Sequence, residues 1–257
     1  TGPFSDFLTI YALMPLRNLF TVWLPWPVMI LAVAGIAATA GGWRLAVATA
    51  IGMLFMGLLG MWFHSMDTAS QVIVAVALAV VIAVPLGILS AESDAFQAAL
   101  RPLLDFIQTI PPFVYLVPVI MLFNVGRVPG IIASVLYALP PAVRLTNLGI
   151  RSVDKETIEA ARAFGSTSRQ ILFKVKLPLA MPSIMMGVNQ TVMMVLAMVI
   201  IAGLVGGGGL GLEAVIGLAK TQTGRGVEAG IAIVIMAMIL DRMTQGWAQK
   251  WQVAEQH

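Results

Sequence analysis

Residues 70–90 read SQVIVAVALAVVIAVPLGILS, an apolar run without a single charge. A helix of about 20 such residues crosses the hydrocarbon core of a bilayer, whereas the helices of soluble domains carry a polar face. Six further windows share this character: 24–41, 45–62, 102–123, 128–148, 182–205 and 226–243. Only 11% of the 257 residues are charged, against about a quarter in ordinary soluble domains, and the mean hydropathy is +0.94. The chain is therefore expected to be an all-α, polytopic membrane protein with about six to seven transmembrane helices.

The window 102–123 differs from the others. Pro102, Pro111, Pro112 and Pro118 punctuate it, and each removes a backbone donor and disfavours a straight helix. A bent or broken helix packed against protein is expected there, because lipid cannot satisfy the freed carbonyls. Residues 1–23 read as an interfacial segment, with Asp6 and Arg17 at its polar edge and Phe4, Phe7, Leu8 and Tyr11 opposite. The chain starts at Thr1 with neither methionine nor a charged leader, so further natural residues are expected before it. With no cysteine and only His64 and His257 as histidines, neither a disulfide framework nor a metal cluster is expected.

Charge is distributed unevenly. Seven of the 15 basic residues, Arg144, Arg151, Lys155, Arg162, Arg169, Lys174 and Lys176, fall in one stretch with three acids, Asp154, Glu156 and Glu159. Basic loops stay in the cytoplasm. Counting spans outward from this loop places Arg44, Arg242 and Lys250 inside, the 63–69 turn and the 206–225 loop outside, the N-terminus outside and the C-terminus inside. The three interspersed acids and the tethering between two spans argue against nucleic acid as the partner of this basic cluster.

Within that loop, Asp154 is placed to cap a helix running to Phe164, with Gly165 at the left-handed C′ position. Thr167 and Gln170 have capping-box spacing for a second short helix, in which Ile171, Leu172 and Val175 share a face until Pro178. Ile158, Ala161 and Phe164 form an apolar face on the first helix. A loop capped twice is ordered, and an apolar patch edged by charge suits docking to another protein.

The pattern Glu159-Ala160-Ala161, three residues, Gly165, nine residues, Val175, any residue, Leu177-Pro178 resembles the EAA loop of permease subunits from bacterial ABC importers, with valine where that family usually has isoleucine. The stretches LLDFIQTIPPFVYLVPVIMLF (103–123), ALPPAVRLTNLGI (138–150), 177–211 and 228–245 resemble the permease of glycine betaine/proline importers, so the likeness covers residues 24–245. It implies the type I ABC importer permease fold: accessory helices in 24–69, a core domain in 70–245 with a coupling loop at 151–178, and a cytoplasmic tail at 246–257. It also implies a bacterial inner-membrane location and three kinds of partner: a cytoplasmic ATPase dimer that binds ATP and Mg, an extracytoplasmic solute-binding protein, and a second permease chain. In such a system Glu159, Ala160, Ala161, Gly165, Leu177 and Pro178 form the ATPase-coupling surface.

For the solute path the polar residues inside spans are candidates: Gln108 and Thr109 before the Pro111–Pro112 break, Tyr115 after it, and Asn189, Gln190 and Met193 in the sixth window. The commoner role for each singly is a helix-to-helix hydrogen bond or packing. Phe113 and Tyr115 offer cation–π faces to a quaternary ammonium solute. Asp105 and Arg144, and Asp241 with Arg242, lie near span ends, where structural pairing and snorkelling dominate.

Gly206, Gly208 and Gly211 match G-x-G-x-x-G, but no strand precedes them, so a dinucleotide site is rejected; Gly206, Gly207, Gly208 and Gly209 read instead as a flexible or closely packed outer gate loop. No G-x-x-x-x-G-K-S/T occurs, so the chain is expected to have neither a cofactor nor an ATP site of that type. An ion-coupled secondary carrier is the alternative function, but neither an internal repeat nor a carboxylate at mid-span is evident. An intramembrane enzyme lacks a clustered acid, base and nucleophile.

Overall fold

The computed structural model describes residues 2–254, with side chains for 2–250, and every regular element among them is helical. The N-terminal segment is a run of short α and π turns that includes α1 (Gly2–Phe7) and α2 (Met14–Asn18). Leu8 and Leu13 are buried on its inner side, and Phe7, Tyr11 and Trp23 are exposed. Such two-sidedness fits a segment lying along a membrane interface.

α3 (Trp26–Leu58) leaves helical geometry at Gly41 and at Gly42, whose φ of 72° only glycine adopts without strain. A straight helix of 33 residues would be about 50 Å long. Yet Trp26 and Ile30 from one end and Met53 and Leu58 from the other line one cavity. The chain therefore turns back at Gly41–Gly42, and the windows 24–41 and 45–62 are the two arms of a hairpin. This explains why five helices, or six with one bent pair, are long and apolar enough to span a membrane, against seven windows in the sequence.

α4 (Trp62–Glu92) is followed by α5 (Asp94–Thr109), α6 (Leu116–Phe123) and α7 (Arg127–Arg151). α5 and the segment Pro112–Phe123 meet at 107°, with Ile110 and Pro111 extended between them. A residue before proline is pushed out of the α region, and here two prolines follow in succession. The Tyr115 hydroxyl donates to the carbonyl of Ile107, and Thr109 Oγ1 donates to that of Phe106 at 2.9 Å. The break is as expected from the prolines. Leu104 is the one buried residue of α5, and Ile107 and Ile110 pack against the cluster of Tyr115, Leu116 and Val119 beyond the break.

α8 (Lys155–Ala163), α9 (Ser168–Ile171), α10 (Leu177–Ile201), α11 (Gly209–Ala219) and α12 (Thr223–Ala254) complete the chain. Pro178 does not stop the second helix of the loop. A π turn at Leu172–Lys176 joins α9 to α10, and Pro178 falls in the first turn of α10, where a missing N–H is tolerated. α12 continues through the segment expected as a tail as far as Ala254; residues 255–257 lie outside the described ones.

The core is formed by α4, α7 and α10, with α7 the most enclosed span. Small residues set its close packing. A Cβ on Gly87 would stand 2.5 Å from Thr146 Cβ, one on Gly149 2.6 Å from Ser183 Cβ, and one on Gly130 2.7 Å from Ala202 Cβ. Without a hydrophobic driving force between helices in lipid, such close approach is what holds spans together. The α3 hairpin adds to this core from outside by packing on α12: Ala37 and Ala40 meet Met243, and Lys250 Nζ donates to the carbonyl of Thr39.

The hairpin makes a direct prediction. With no native cysteine, Ile30→Cys combined with Met53→Cys should be joined by a bismaleimide about 10 Å long, giving a cross-linked chain after proteolysis between them. A continuous helix would separate the two by about 35 Å and give none.

Candidate functional site

The polar loop between α7 and α10 is built from its caps. The Asp154 carboxylate accepts from the Glu156 N–H at 3.2 Å and opens α8. At its other end Gly165 has φ 80°; its N–H reaches the carbonyl of Arg162 at 2.9 Å, and the Ser166 N–H reaches that of Ala161 at 3.1 Å. These two bonds are the Schellman closure. Thr167 and Gln170 then form a reciprocal capping box at the start of α9. Orphan backbone groups at both ends of the turn are thus paired within the loop, and its shape is fixed without help from outside.

Its surface is open. Phe164 is 92% exposed and Phe173 55%, with the Arg169 guanidinium 6.0 Å from the Phe173 ring. Glu159, Ala160 and Gly165 are exposed, and Glu159 makes no ion pair among the described residues. Ile158 and Ala161 turn partly toward the protein, so the apolar face expected from Ile158, Ala161 and Phe164 divides: two residues seat α8, and the phenylalanine projects. Leu177 and Pro178 sit at the base, in the first turn of α10. Lys176 pairs with Glu92 at 2.6 Å, and Arg151 with Asp94 at 2.6 Å and with the carbonyl of Ser90 at 2.9 Å. These contacts anchor both feet of the loop to the end of α4 and the start of α5.

The solute-path candidates separate into two groups. Tyr115 is buried against Met198, Ala133 and Ala202, with its ring 6.1 Å from Tyr137 and its hydroxyl committed to the break. Gln108, Thr109, Pro111 and Phe113 are exposed around it, and Pro112 is half-buried. Asn189 instead bonds α10 to α12, through Asp241 Oδ1 at 3.4 Å and the Thr244 hydroxyl. Gln190 is exposed beside it and Met193 is half-buried. Gln190, Asn189 and Met186 line an open cavity with Leu145 and Gln245; the Gln108–Tyr115 group does not reach it. Asp105 pairs with Arg144 at 2.5 Å.

At the opposite end of the bundle, the glycine loop is clamped and not loose. Gly206, Gly208 and Gly209 all have positive φ, and Gly207, Gly208 and Gly209 are buried. The Gly207 N–H donates to the carbonyl of Ala202 at 2.9 Å, and the Leu210 N–H donates to Thr68 Oγ1 at 2.8 Å. Beside it, the Asp67 carboxylate, 6% exposed, is held by Arg17 and Arg127, each at 2.9 Å. Glu213, 4% exposed, pairs with Arg225 at 2.5 Å and lies 3.5 Å from His64. The hydrogen bond from Arg225 holds its carboxyl below the usual carboxylate range, outweighing burial, with His64 adding to the lowering. This pair therefore contributes stability at neutral pH that is lost as the pH falls through the lowered value. Neither carboxylate was singled out by pattern, although Glu213 as the one acid within GLGLEAVIGLA was a visible signal.

The loop predicts a contrast between two glycines. Gly209→Ala places a Cβ at positive φ against Thr68 Oγ1 and should cost about 1–3 kcal/mol, seen as a lower midpoint of thermal unfolding in detergent. Gly224→Ala, with nothing within 4 Å, should leave the midpoint unchanged.

A family model described as "Binding-protein-dependent transport system inner membrane component" matches residues 83–250. The chain is 48% identical over 222 residues to the glycine betaine/proline betaine transport system permease protein ProW of Escherichia coli (strain K12), covering 86% of this chain and 63% of that protein. It is 48% identical over 201 residues to the glycine betaine transport system permease protein OpuAB of Bacillus subtilis (strain 168), covering 78% and 71%. With the glycine betaine/carnitine transport permease protein GbuB of Listeria monocytogenes serotype 1/2a (strain 10403S) it shares 44% over 229 residues, covering 88% and 81%. The chain thus spans less than two thirds of the length of the Escherichia coli relative. Among solved structures, a chain of the MetNI methionine ABC transporter in an inward-facing conformation superposes with a TM-score of 0.66 at 22% identity, covering 74% of this chain and 95% of that one. That likeness concerns the fold alone.

Proposed function

This chain belongs to the family of binding-protein-dependent transport inner membrane components, and we propose that it is the permease of an ATP-driven importer of glycine betaine or a related quaternary ammonium solute. The observation that carries this reading is the doubly capped loop of residues 154–178, rigid in itself, tied by ion pairs at its base, and presenting Phe164 fully to its surroundings. The chain's own residues supply no nucleotide-binding loop, so the energy enters through a partner ATPase dimer that holds ATP and Mg. Phe164 fills a pocket on that ATPase, Glu159 meets a basic residue there, and Ala160 permits close approach. A solute-binding protein delivers its cargo at the Gly206–Gly209 end.

In this reading the coupling loop and C-terminus are cytoplasmic and the N-terminus is outside. The distribution of basic residues supports this: Lys155, Arg162, Arg169 and Lys174 surround the loop. Residues 24–69 form the accessory hairpin and 70–245 the transport core. A second copy of the chain covers the open side of α10 and of the Gln108–Phe113 break, and the path runs between the copies past Gln108, Gln190 and Met193, while Tyr115 and Asn189 brace the walls. An ion-coupled carrier is disfavoured because the buried carboxylates, Asp67 and Glu213, lie at one end of the bundle and are each neutralised by arginine.

Co-expression with the cognate ATPase and binding protein tests the assignment. The wild-type complex should hydrolyse ATP faster with glycine betaine and loaded binding protein. Phe164→Ser should weaken ATPase association about ten- to a hundredfold, the effect of losing one buried aromatic side chain, without lowering the chain's own thermal stability. Gly165→Val should retain the chain in the membrane but abolish solute-stimulated hydrolysis. Wild-type hydrolysis and uptake in both variants would refute the assignment of the loop.

A further inference from the structure

At the end of the bundle that carries the coupling loop, α4, α5 and α7 enclose an open cavity of about 370 Å³. Arg101, Arg144 and Arg151 line it, with Gln97, Asn147 and Asp105 between them. Arg144 is paired with Asp105 and Arg151 with Asp94, so three positive charges face two negative ones. Arg101 makes no ion pair among the described residues and carries the surplus. Asn147, 7% exposed, lines the same wall. The cavity therefore combines a cation that makes no ion pair with a side-chain amide on one wall.

Its position indicates what fills it. α5 carries Gln97, Arg101 and Asp105 on one side, and Leu103 and Phe106, 54% and 63% exposed, on another. A helix of this kind lies in the plane of a membrane surface, with its apolar side against acyl chains. Basic pockets between spans at that depth are suited to phospholipid headgroups. We propose that the cavity binds the phosphate of an anionic phospholipid from the leaflet on the coupling-loop side, with Arg101 and the Asn147 amide donating to its oxygens and the acyl chains lying along Leu103 and Phe106. The bound lipid ties α5 to the end of α7, from which the chain enters the coupling loop at Ser152. The inference depends on the chain crossing a membrane and not on which solute it carries.

The test uses the full chain purified in detergent and native mass spectrometry with added phosphatidylglycerol, phosphatidylethanolamine or inorganic phosphate. One phosphatidylglycerol per chain should be retained in preference to phosphatidylethanolamine, and millimolar inorganic phosphate should not displace it. Arg101→Gln should weaken retention about tenfold, the loss of one charge-assisted contact. Asn147→Asp, nearly the same shape with a negative charge, should weaken it at least as much. Arg44→Gln, a basic residue at the same end but outside the cavity, should leave it unchanged, and unaltered melting of Arg101→Gln would show that the loss is not misfolding. Equal retention of the two lipids, retention unaffected by either cavity variant, displacement by inorganic phosphate, or an unoccupied cavity in a chain that dimerises through it would each overturn the proposal.

Discussion

Hydrocarbon offers no hydrogen-bond partner, so every backbone group inside the membrane must be satisfied by the chain itself. Each interruption of this helical bundle is arranged around that constraint. The Gly41–Gly42 turn lies at the end of a hairpin, level with Lys250, where water and headgroups are available. The Pro111–Pro112 break is met locally by the Tyr115 hydroxyl on the carbonyl of Ile107. At the glycine loop, where Gly206, Gly208 and Gly209 leave helical geometry, Thr68 receives the Leu210 N–H and the chain's own carbonyl at Ala202 receives that of Gly207. Two buried carboxylates beside that loop are tolerated because arginines accompany them.

The same accounting explains why the 154–178 loop can be polar and still rigid. It leaves the bundle between the two most closely packed spans, α7 and α10, whose separation is set by glycines too near their neighbours to accept a side chain. A loop whose feet stand on such elements moves with them. Its own caps remove the need for contacts elsewhere, which leaves Phe164 free to project from the loop. A displacement applied to the loop reaches α4 and α5 through the Lys176–Glu92 and Arg151–Asp94 pairs.

Local signals were legible in the sequence. Asp154, Gly165 and the Thr167–Gln170 pair act as their spacing suggests, since caps and turns depend on a few neighbouring residues. Apolar windows located the spans for the same reason. What the sequence left hidden depends on contacts distant along the chain. Asn189 joins α12, Tyr115 braces the α5 break, and Asp67 gathers Arg17 and Arg127 from elements on either side. Pro178 misled because a proline reads as a stop when the helix ahead of it is assumed to end; the π turn before it makes position 178 the beginning of a new one. Periodicity grouped Phe164 with Ile158 and Ala161 in one apolar patch; that only the phenylalanine projects from it depends on how α8 sits on the rest of the chain.

The central claim is that this loop is the contact through which the chain is driven. Its most direct test is a photo-crosslinking amino acid at position 164 in intact cells that express the complete transport system. The account predicts an adduct between this chain and the cytoplasmic ATPase, in high yield at position 164 and none at position 63 on the other end of the bundle. Adducts at 164 only with lipid or with extracytoplasmic protein would contradict both the coupling role and the orientation.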